Sequence, residues 1–385
     1  KNMNIIIIIC VPIVAFILLA LGVGIFVKKR MKHEAKEFIN PDFSGDISTI
    51  ESIQHHFGKI RAATNNFSDD NKLGQGGFGA VYMGKLVHGK EIAVKRLSKD
   101  SGQGDQEFKN EVLLLAKLQH RNLVRLLGFS IEGIERLLVY EFVRNGSLDQ
   151  ILFDRTKSSK LDWNSRYRII VGIAKGVLYL HEDSRLMIIH RDLKASNVLL
   201  DGNMNPKIAD FGMARLVVPD ATIESTNLIV GTYGYMAPEY ARYGHFSVKS
   251  DVFSFGVIVL EIITGRKIFT QNEEDRGDLL SCAWRSWREG TISNLIDRTL
   301  SETNGGQPDM VRCIHIALLC VQQNTASRPT MASVVVMLNS STITLPIPTE
   351  PGFYFSRTTS ILHLESPNTQ SPNNTYSSMG DLYPQ

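Results

Sequence analysis

The run His190-Arg191-Asp192-Leu193-Lys194-Ala195-Ser196-Asn197 carries the residues best suited to chemistry in this 385-residue chain. An acid stands five positions before a carboxamide, with a lysine between them. Phosphoryl transfer to a hydroxyl needs such a set. The Asp192 carboxylate can accept the proton of the attacking hydroxyl, Lys194 can neutralise the moving phosphate, and the Asn197 amide oxygen can hold a metal. Taken alone, the run could be a charged turn, so its partners elsewhere decide the matter.

Gly74-Gln75-Gly76-Gly77-Phe78-Gly79 is one partner, weak by itself in a chain with 30 glycines. A dinucleotide-binding turn would run from strand into helix. Here Ala80-Val81-Tyr82-Met83-Gly84 is β-branched and aromatic, which favours a hairpin lying over phosphates. Lys95, in Ile92-Ala93-Val94-Lys95, would by itself be a surface residue of an alternating strand. An ion pair with Glu111, on an apolar-patterned helix, would instead aim its ammonium at the α- and β-phosphates of a nucleotide. Asp210, in Asp210-Phe211-Gly212, reads either as a turn residue or as a ligand of magnesium, with Asn197 supplying a further oxygen. No histidine or cysteine cluster suggests zinc.

Elements must position these groups. Residues 73–86 read as strand, glycine turn and strand, and residues 91–97 alternate as a third strand. Residues 107–118 have helical spacing at Phe108, Val112, Leu115 and Leu118, and residues 137–142 form a short apolar strand. Residues 163–181 predict an amphipathic helix with Tyr167, Ile170, Val171, Ala174, Val177 and Leu178 on one face. Further helices are expected at 250–264, 310–321 and 330–339. A strand-rich first part before a helix-rich second predicts an α+β fold of two lobes.

The net charge of +3 is too small to argue for nucleic acid as a partner. The four cysteines, Cys10, Cys282, Cys313 and Cys320, do not make a disulfide framework. Residues 5–27 contain no charge across 23 positions. As a helix they would span about 34 Å, enough for a hydrocarbon core of roughly 30 Å. Lys28, Lys29, Arg30 and Lys32 follow, against Lys1 before, which puts the C-terminal side in the cytoplasm and the basic cluster against anionic lipid headgroups. The sequence therefore predicts a single transmembrane helix over 5–27 and a polar juxtamembrane linker over 28–66. A folded domain over 67–340 and a disordered Pro/Ser/Thr/Asn-rich tail over 341–385 follow. Beginning at Lys1, the chain is expected to be a fragment or a processed form.

The glycine hairpin, strand lysine, helix glutamate, His-Arg-Asp run, Asp-Phe-Gly and Ala237-Pro238-Glu239 occur in this order. Together they resemble the protein kinase family over about residues 67–338. The resemblance implies a bilobal fold, with a small β-rich N-lobe and a larger helical C-lobe. It implies ATP and Mg2+ as cofactors, with Mn2+ an alternative, and proteins as substrates. Catalytic roles fall on Asp192, Lys194, Lys95 and Glu111, and metal ligation on Asn197 and Asp210. The implied ATP site comprises Leu73, Gly74, Gly76, Gly79, Val81, Ala93, Lys95, Tyr140, Glu141, Val143 and Leu199. Within it Tyr140 would be the gatekeeper, and Val81, Ala93 and Leu199 would enclose the adenine.

Lys194 and the stretch Gly231-Thr232-Tyr233-Gly234-Tyr235-Met236-Ala237-Pro238-Glu239 are similar to serine/threonine kinases, in which a threonine like Thr232 contacts the catalytic aspartate. Asp251 matches the residue that anchors the catalytic loop, and Arg328 the one that pairs with Glu239. More narrowly, Ile60-Arg61-Ala62-Ala63-Thr64-Asn65-Asn66-Phe67 and the 192–197 run look like plant receptor-like kinases. The closing Asp381-Leu382-Tyr383-Pro384 is similar to tails of their cysteine-rich subgroup. Members carry a secreted-type, cysteine-rich sensing region before the span, and these 385 residues contain none. The implied protein is a single-pass plasma-membrane kinase, its kinase domain cytoplasmic, associating with itself or with a co-receptor kinase.

Arg191 and Arg215 could form a basic pocket beneath the activation segment, residues 213–231. Lacking an anionic partner, that segment is expected to be mobile until phosphate on Thr222, Ser225 or Thr226 orders it. The alternative reading is a catalytically silent, membrane-tethered pseudokinase scaffold. Such proteins commonly lose the strand lysine, the base or the metal aspartate, whereas Lys95, Glu111, Asp192, Asn197 and Asp210 are all in place. A mere anchor with an interaction domain leaves these spacings unexplained.

Overall fold

Residues 52–76, 79–97, 102–184, 186–217, 223–269, 278–300 and 306–353 are described by the computed structural model. The apolar run 5–27, its basic cluster, Thr222 and residues 354–385 lie outside that set. Among the described residues no helix is long and apolar enough to cross a membrane.

The first lobe is a 5-stranded antiparallel sheet flanked by helix α1 (Phe57–Ala63). Its strands are β1 (Lys72–Gly76), β2 (Gly79–Lys85), β3 (Glu91–Leu97), β4 (Leu126–Glu132) and β5 (Glu135–Glu141), in the order β1-β2-β3-β5-β4. Alternation along β3 explains how a lysine enters the interior. Ile92 and Val94 are buried on one face, in a cluster with Ile60 of α1, Phe67, Tyr82, Leu137 and Val139. Ala93 and Lys95 therefore occupy the opposite face, where α2 (Gly102–Leu115) packs with Phe108, Val112 and Leu115 buried. Both faces of the sheet are covered, so the lysine of an alternating strand is not on the surface.

Two boundaries differ from the sequence reading. The stretch read as a polar juxtamembrane linker to residue 66 contains α1, whose Ile60 is fully buried. Just before it, the His55 N–H donates to the Phe129 carbonyl at 2.7 Å, extending the pairing along β4. A single buried isoleucine among polar neighbours gives too little periodicity to announce a helix. At the other end, the chain stays packed on the helical lobe as far as Phe353, beyond the expected limit at 340. Strand β4 was not anticipated either. Its Leu-Leu-Gly-Phe-Ser-Ile run is buried almost throughout, which removes the alternation that marks a half-exposed strand.

The second lobe contains α3 (Leu148–Leu152), α4 (Trp163–Leu178), β6 (Met187–Ile189), β7 (Val198–Leu200), β8 (Pro206–Ile208), β9 (Arg215–Val217) and β10 (Glu224–Ser225). It continues through α5 (Pro238–Tyr243), β11 (His245–Phe246), α6 (Val248–Thr264), α7 (Leu279–Arg288), α8 (Gln307–Cys320) and α9 (Met331–Asn339). The N-terminus of α4 is capped by Asp162, which accepts from the Ser165 N–H. Helix α6 is buried all round, as expected of a central helix. It starts in a capping box between Ser247 and Ser250 and stops at Gly265, whose φ of 66° is left-handed.

Arg328 is 1% exposed and binds Glu239 through two parallel bonds of 2.7 and 2.8 Å. Glu239→Ala would leave that guanidinium charged and buried without its counter-ion. The expected loss is about 3–5 kcal/mol of stability. Denaturant unfolding of the two proteins measures it, and a difference below about 1 kcal/mol would contradict the argument.

Candidate active site

Asp192, 3% exposed, is held by three side chains. Thr232 donates its hydroxyl to Oδ1 at 2.8 Å, Asn197 donates its amide to Oδ2 at 2.9 Å, and Lys194 Nζ lies 2.9 Å from Oδ2. Lys194 also donates to the Thr232 hydroxyl at 2.8 Å. The Asn197 amide additionally donates to the Asp192 carbonyl at 2.8 Å, which closes the loop on itself. With both amide hydrogens directed at Asp192, the Asn197 oxygen is the atom left to face a cation.

The loop hangs from α6. Asp251, fully buried, accepts from the N–H groups of His190 at 2.8 Å and Arg191 at 3.0 Å, with His181 at 3.0 Å. Burial opposes its ionisation, but the bonds from His181 and His190 hold its carboxyl below the usual range. Arg191 has a φ of 69° and Asp210 of 68°, left-handed values uncommon for residues other than glycine. Both flank the same point, where the surrounding bonds over-determine them.

Lys95 lies between two acids, 3.1 Å from Glu111 Oε1 and 2.6 Å from Asp210 Oδ1. The Glu111 pair was expected, and the direct Asp210 contact adds a third member. Burial works against the ammonium, but Asp210 and Glu111 together hold its pKa well above the ordinary lysine value. One cation cannot serve two buried acids equally. Asp210, despite burial, is held at about 2 by Lys95. Glu111 is pushed up to about 8, by burial first and then by the Asp210 charge, against the pull of Lys95. His190 and Phe211 meet edge to face at 4.9 Å, and the Ala209 N–H donates to the Asn197 carbonyl at 2.8 Å. These contacts bring the Asp210 strand end to the 192–197 loop.

Of the remaining expected residues, Val81, Ala93 and Tyr140 share the Lys95 face of the sheet, while Glu141 pairs with Ile92 on the other face and Val143 and Leu199 lie outside the sheet. Gly76 faces Gly79 across the hairpin, and Leu73 and Gly74 are exposed on β1. At Gly79, φ is 136° and a Cβ would collide with the Arg96 carbonyl, so glycine is required there. Val81 pairs with Lys95, and Ala93 with Tyr140. Glu141 accepts from Lys207 at 2.9 Å, tying the end of β5 to β8. Val143 is buried, and Leu199 lies half-buried on β7. The Tyr140 hydroxyl and Glu111 Oε2 are buried with no hydrogen-bond partner among the described residues. A cavity of ≈ 580 Å³ elsewhere on the helical lobe, with Phe153, Arg155, Arg266 and Arg298 in its wall, contains none of these groups. The chemistry, not the cavity volume, locates the site.

The described residues of the activation segment take part in two short ladders. Its β9 pairs with β6, and β10 with β11, so Ser225 faces His245 across a two-stranded ladder. Thr226 bonds the Leu228 backbone. Arg191 donates to the Tyr240 hydroxyl at 2.6 Å and stacks over Phe246 at 4.6 Å. Burial, and then the charge of Arg191, lower the pKa of Arg215.

The sequence reading missed the link between Tyr235 and Glu261, whose bonds are 2.9 and 2.8 Å. A carboxylate inside an apolar helix was the available signal, because such a group needs a partner. Burial pushes Glu261 up to about 7, although the Ile268 N–H and Tyr235 both favour its ionised form. The folded protein therefore keeps a proton that the unfolded chain releases above the ordinary carboxylate range. That contribution is full below the unfolded pKa and is lost as pH rises towards about 7. Between pH 5 and 8 the wild type should lose about 3 kcal/mol more stability than Glu261→Gln. Denaturation midpoints at the two pH values test this, and parallel curves would refute it.

Hard oxygen donors suit magnesium, and one carboxylate plus one amide is a sufficient protein share because this ion keeps several waters. Asp210 and Asn197 fit that requirement. Among the described residues no group of three or more His, Cys, Asp or Glu side chains could form a different metal site.

Residues 67–338 match the family described as protein tyrosine and serine/threonine kinase. The chain is 60% identical over 328 residues to cysteine-rich receptor-like protein kinase 41 of Arabidopsis thaliana, covering 84% of this chain and 49% of that protein. Cysteine-rich receptor-like protein kinase 29 is 62% identical over 313 residues (80% and 46%), and kinase 10 is 56% identical over 350 residues (90% and 52%), both from the same plant. The chain thus spans about half the length of the curated relatives it matches. Motif order, the paired charges in the cleft and these likenesses agree: the chain belongs to the protein tyrosine and serine/threonine kinase family.

Proposed function

We propose that this chain is a membrane-anchored, receptor-like serine/threonine protein kinase that transfers the γ-phosphoryl group of ATP to protein hydroxyls. The observation that carries the reading is the buried Asp192 carboxylate, bonded by Thr232, Asn197 and Lys194 beside the Lys95–Asp210 pair. Membership of the kinase family implies ATP and a divalent metal. Asn197 and Asp210 are suited to hold magnesium, which when bound neutralises phosphate oxygens. Asp192 takes the proton of the acceptor hydroxyl as its oxygen bonds to phosphorus, and the bridging oxygen leaves with ADP. Lys194 balances the equatorial oxygens while Thr232 fixes its ammonium. The adenine would lie between Val81, Ala93 and Leu199, with Tyr140, Glu141 and Val143 at its edge and Leu73, Gly74, Gly76 and Gly79 above the phosphates.

Anchoring in the plasma membrane by residues 5–27, with the basic cluster on anionic lipid and the kinase domain in the cytoplasm, rests on the apolar run and its charge asymmetry. Self-association or a co-receptor would supply phosphorylation between neighbours. The silent scaffold is disfavoured because the lysine, base and both metal residues are present together. The test is to incubate the full chain, purified in detergent, with ATP and magnesium and to identify the phosphorylated residues. Phosphoserine and phosphothreonine are expected. Phosphotyrosine alone, or no transfer, would sink the reading.

Phosphate on Thr222, Ser225 or Thr226 would bring about two negative charges towards the Arg191–Arg215 pair. Replacing all three by alanine should lower peptide phosphorylation at least about five-fold, as expected for the loss of one charge-assisted bond. An unchanged rate would remove this regulatory role.

A further inference from the structure

The route of the chain after α9 ends at an unusual place. Residues 340–353 are tied to the helical lobe by Arg312, which donates to the Ile343 carbonyl at 3.0 Å, and by His315, 2.7 Å from the Pro346 carbonyl. The Thr349 N–H and hydroxyl both bond Gln322 Oε1, and the Gly352 N–H donates to Val321. At Gly352 a Cβ would collide with the Pro238 ring, so the strand lies directly against the start of α5. Phe353 then turns with a φ of 61° and sets its ring against Phe253 and 6.4 Å from Tyr233.

Tyr233 adjoins Thr232, the residue bonded to Asp192. Its ring is 69% exposed and stacks at 5.6 Å on Phe269, itself 51% exposed. Two large aromatic faces in contact and open to water beside the reacting carboxylate call for a cover. The next residues of the chain are aromatic, Tyr354 and Phe355, and are followed at once by hydroxyls at Ser356, Thr358, Thr359 and Ser360.

We propose that residues 354–385 are an intramolecular substrate: Tyr354 and Phe355 dock on the Tyr233–Phe269 stack and present Thr358, Thr359 and Ser360 to Asp192. The inference rests on the kinase reading and names a substrate for it. The path from Phe353 through Tyr233 and Thr232 to the carboxylate is at most about 25 Å, which the seven residues to Ser360 can span when extended, while Thr358 and Thr359, five and six residues on, reach about 18 and 22 Å. A tether this short sets an effective concentration on the order of millimolar, so weak aromatic docking suffices. Each transfer forms one oxygen–phosphorus bond on the hydroxyl and breaks the β–γ bridge of ATP. Its proton goes to Asp192 and ADP leaves. Until modified, the same segment competes with external proteins for the platform.

The test uses the full chain in detergent with ATP, magnesium and casein as an external acceptor. Mass spectrometry should find phosphate on Thr358, Thr359 or Ser360, at a rate per molecule unchanged over a hundred-fold dilution. The double variant Tyr354→Ser/Phe355→Ser should slow this at least five-fold while casein is phosphorylated as fast or faster. Phe269→Ala should slow it likewise. Labelled casein with those three hydroxyls bare, a tail rate proportional to protein concentration, or indifference to the aromatic substitutions would overturn the proposal. Silence of casein and tail alike would instead bring down the kinase reading, and this inference with it.

Discussion

Asp192→Asn should lower the turnover number for peptide phosphorylation about 10²- to 10⁴-fold, the usual contribution of a positioned base. The amide has nearly the same shape as the carboxylate but is a far poorer proton acceptor. Its neighbours can adapt to it. The amide oxygen can still accept from Asn197 and Lys194, and the Thr232 hydroxyl can rotate to accept from the new NH2 group. The stability cost should therefore stay within about 1–2 kcal/mol. Affinity for ATP should change little, because the role proposed for Asp192 is towards the acceptor hydroxyl and not the nucleotide. Steady-state kinetics, nucleotide binding and unfolding, measured on one preparation, separate these effects. Retention of more than a tenth of the activity would mean that another group takes the proton.

How much of this was legible in the sequence depended on what each residue must touch. Asp192, Asn197 and Asp210 could be proposed from the sequence because phosphate chemistry restricts residue type and local spacing. Lys95 and Glu111 were proposed from motif order, though the local pattern pointed Lys95 to the surface, and the two are paired in the structure. What made the difference was α1 covering the other face of the sheet, a long-range fact that no local window carries. The Lys95–Asp210 contact, between residues 115 positions apart, belongs to the same class. Tyr235 with Glu261 was readable in principle, since an acid on an all-buried helix demands a donor. The identity of that donor was not. The final packed stretch escaped notice because Pro346, Thr349 and Gly352 are held largely by hydrogen bonds through their backbone groups, and composition alone cannot tell a strap from a loose tail.

Lys95→Met is expected to reduce kcat/KM for ATP at least 100-fold, from loss of a cation held between two acids on the sheet. The two acids it separates make the outcome more than a charge deletion. Without the ammonium, Asp210 loses the partner that holds it at about 2, and Glu111 gains a bare negative neighbour. Glu111, pushed up to about 8 already, should then keep its proton throughout the neutral range and bond Asp210 as a neutral acid. That protonation limits the damage to the fold to less than the 3–5 kcal/mol typical of a broken buried pair, roughly 2 kcal/mol. Lys95→Arg keeps the charge, yet its planar fork does not fit a point between carboxylates at 3.1 and 2.6 Å, so at least about ten-fold loss is expected there too. The pH dependence distinguishes this account from simple misfolding. Wild-type stability should fall as pH rises towards about 8, because folded Glu111 holds a proton that the unfolded chain releases. In Lys95→Met the same decline should continue to higher pH, since the folded-state pKa is higher still. Unfolding curves from pH 6 to 10 read that difference directly. If the variant were active, or if its pH profile ended where the wild type's does, Lys95 would not be the charge that organises this cleft.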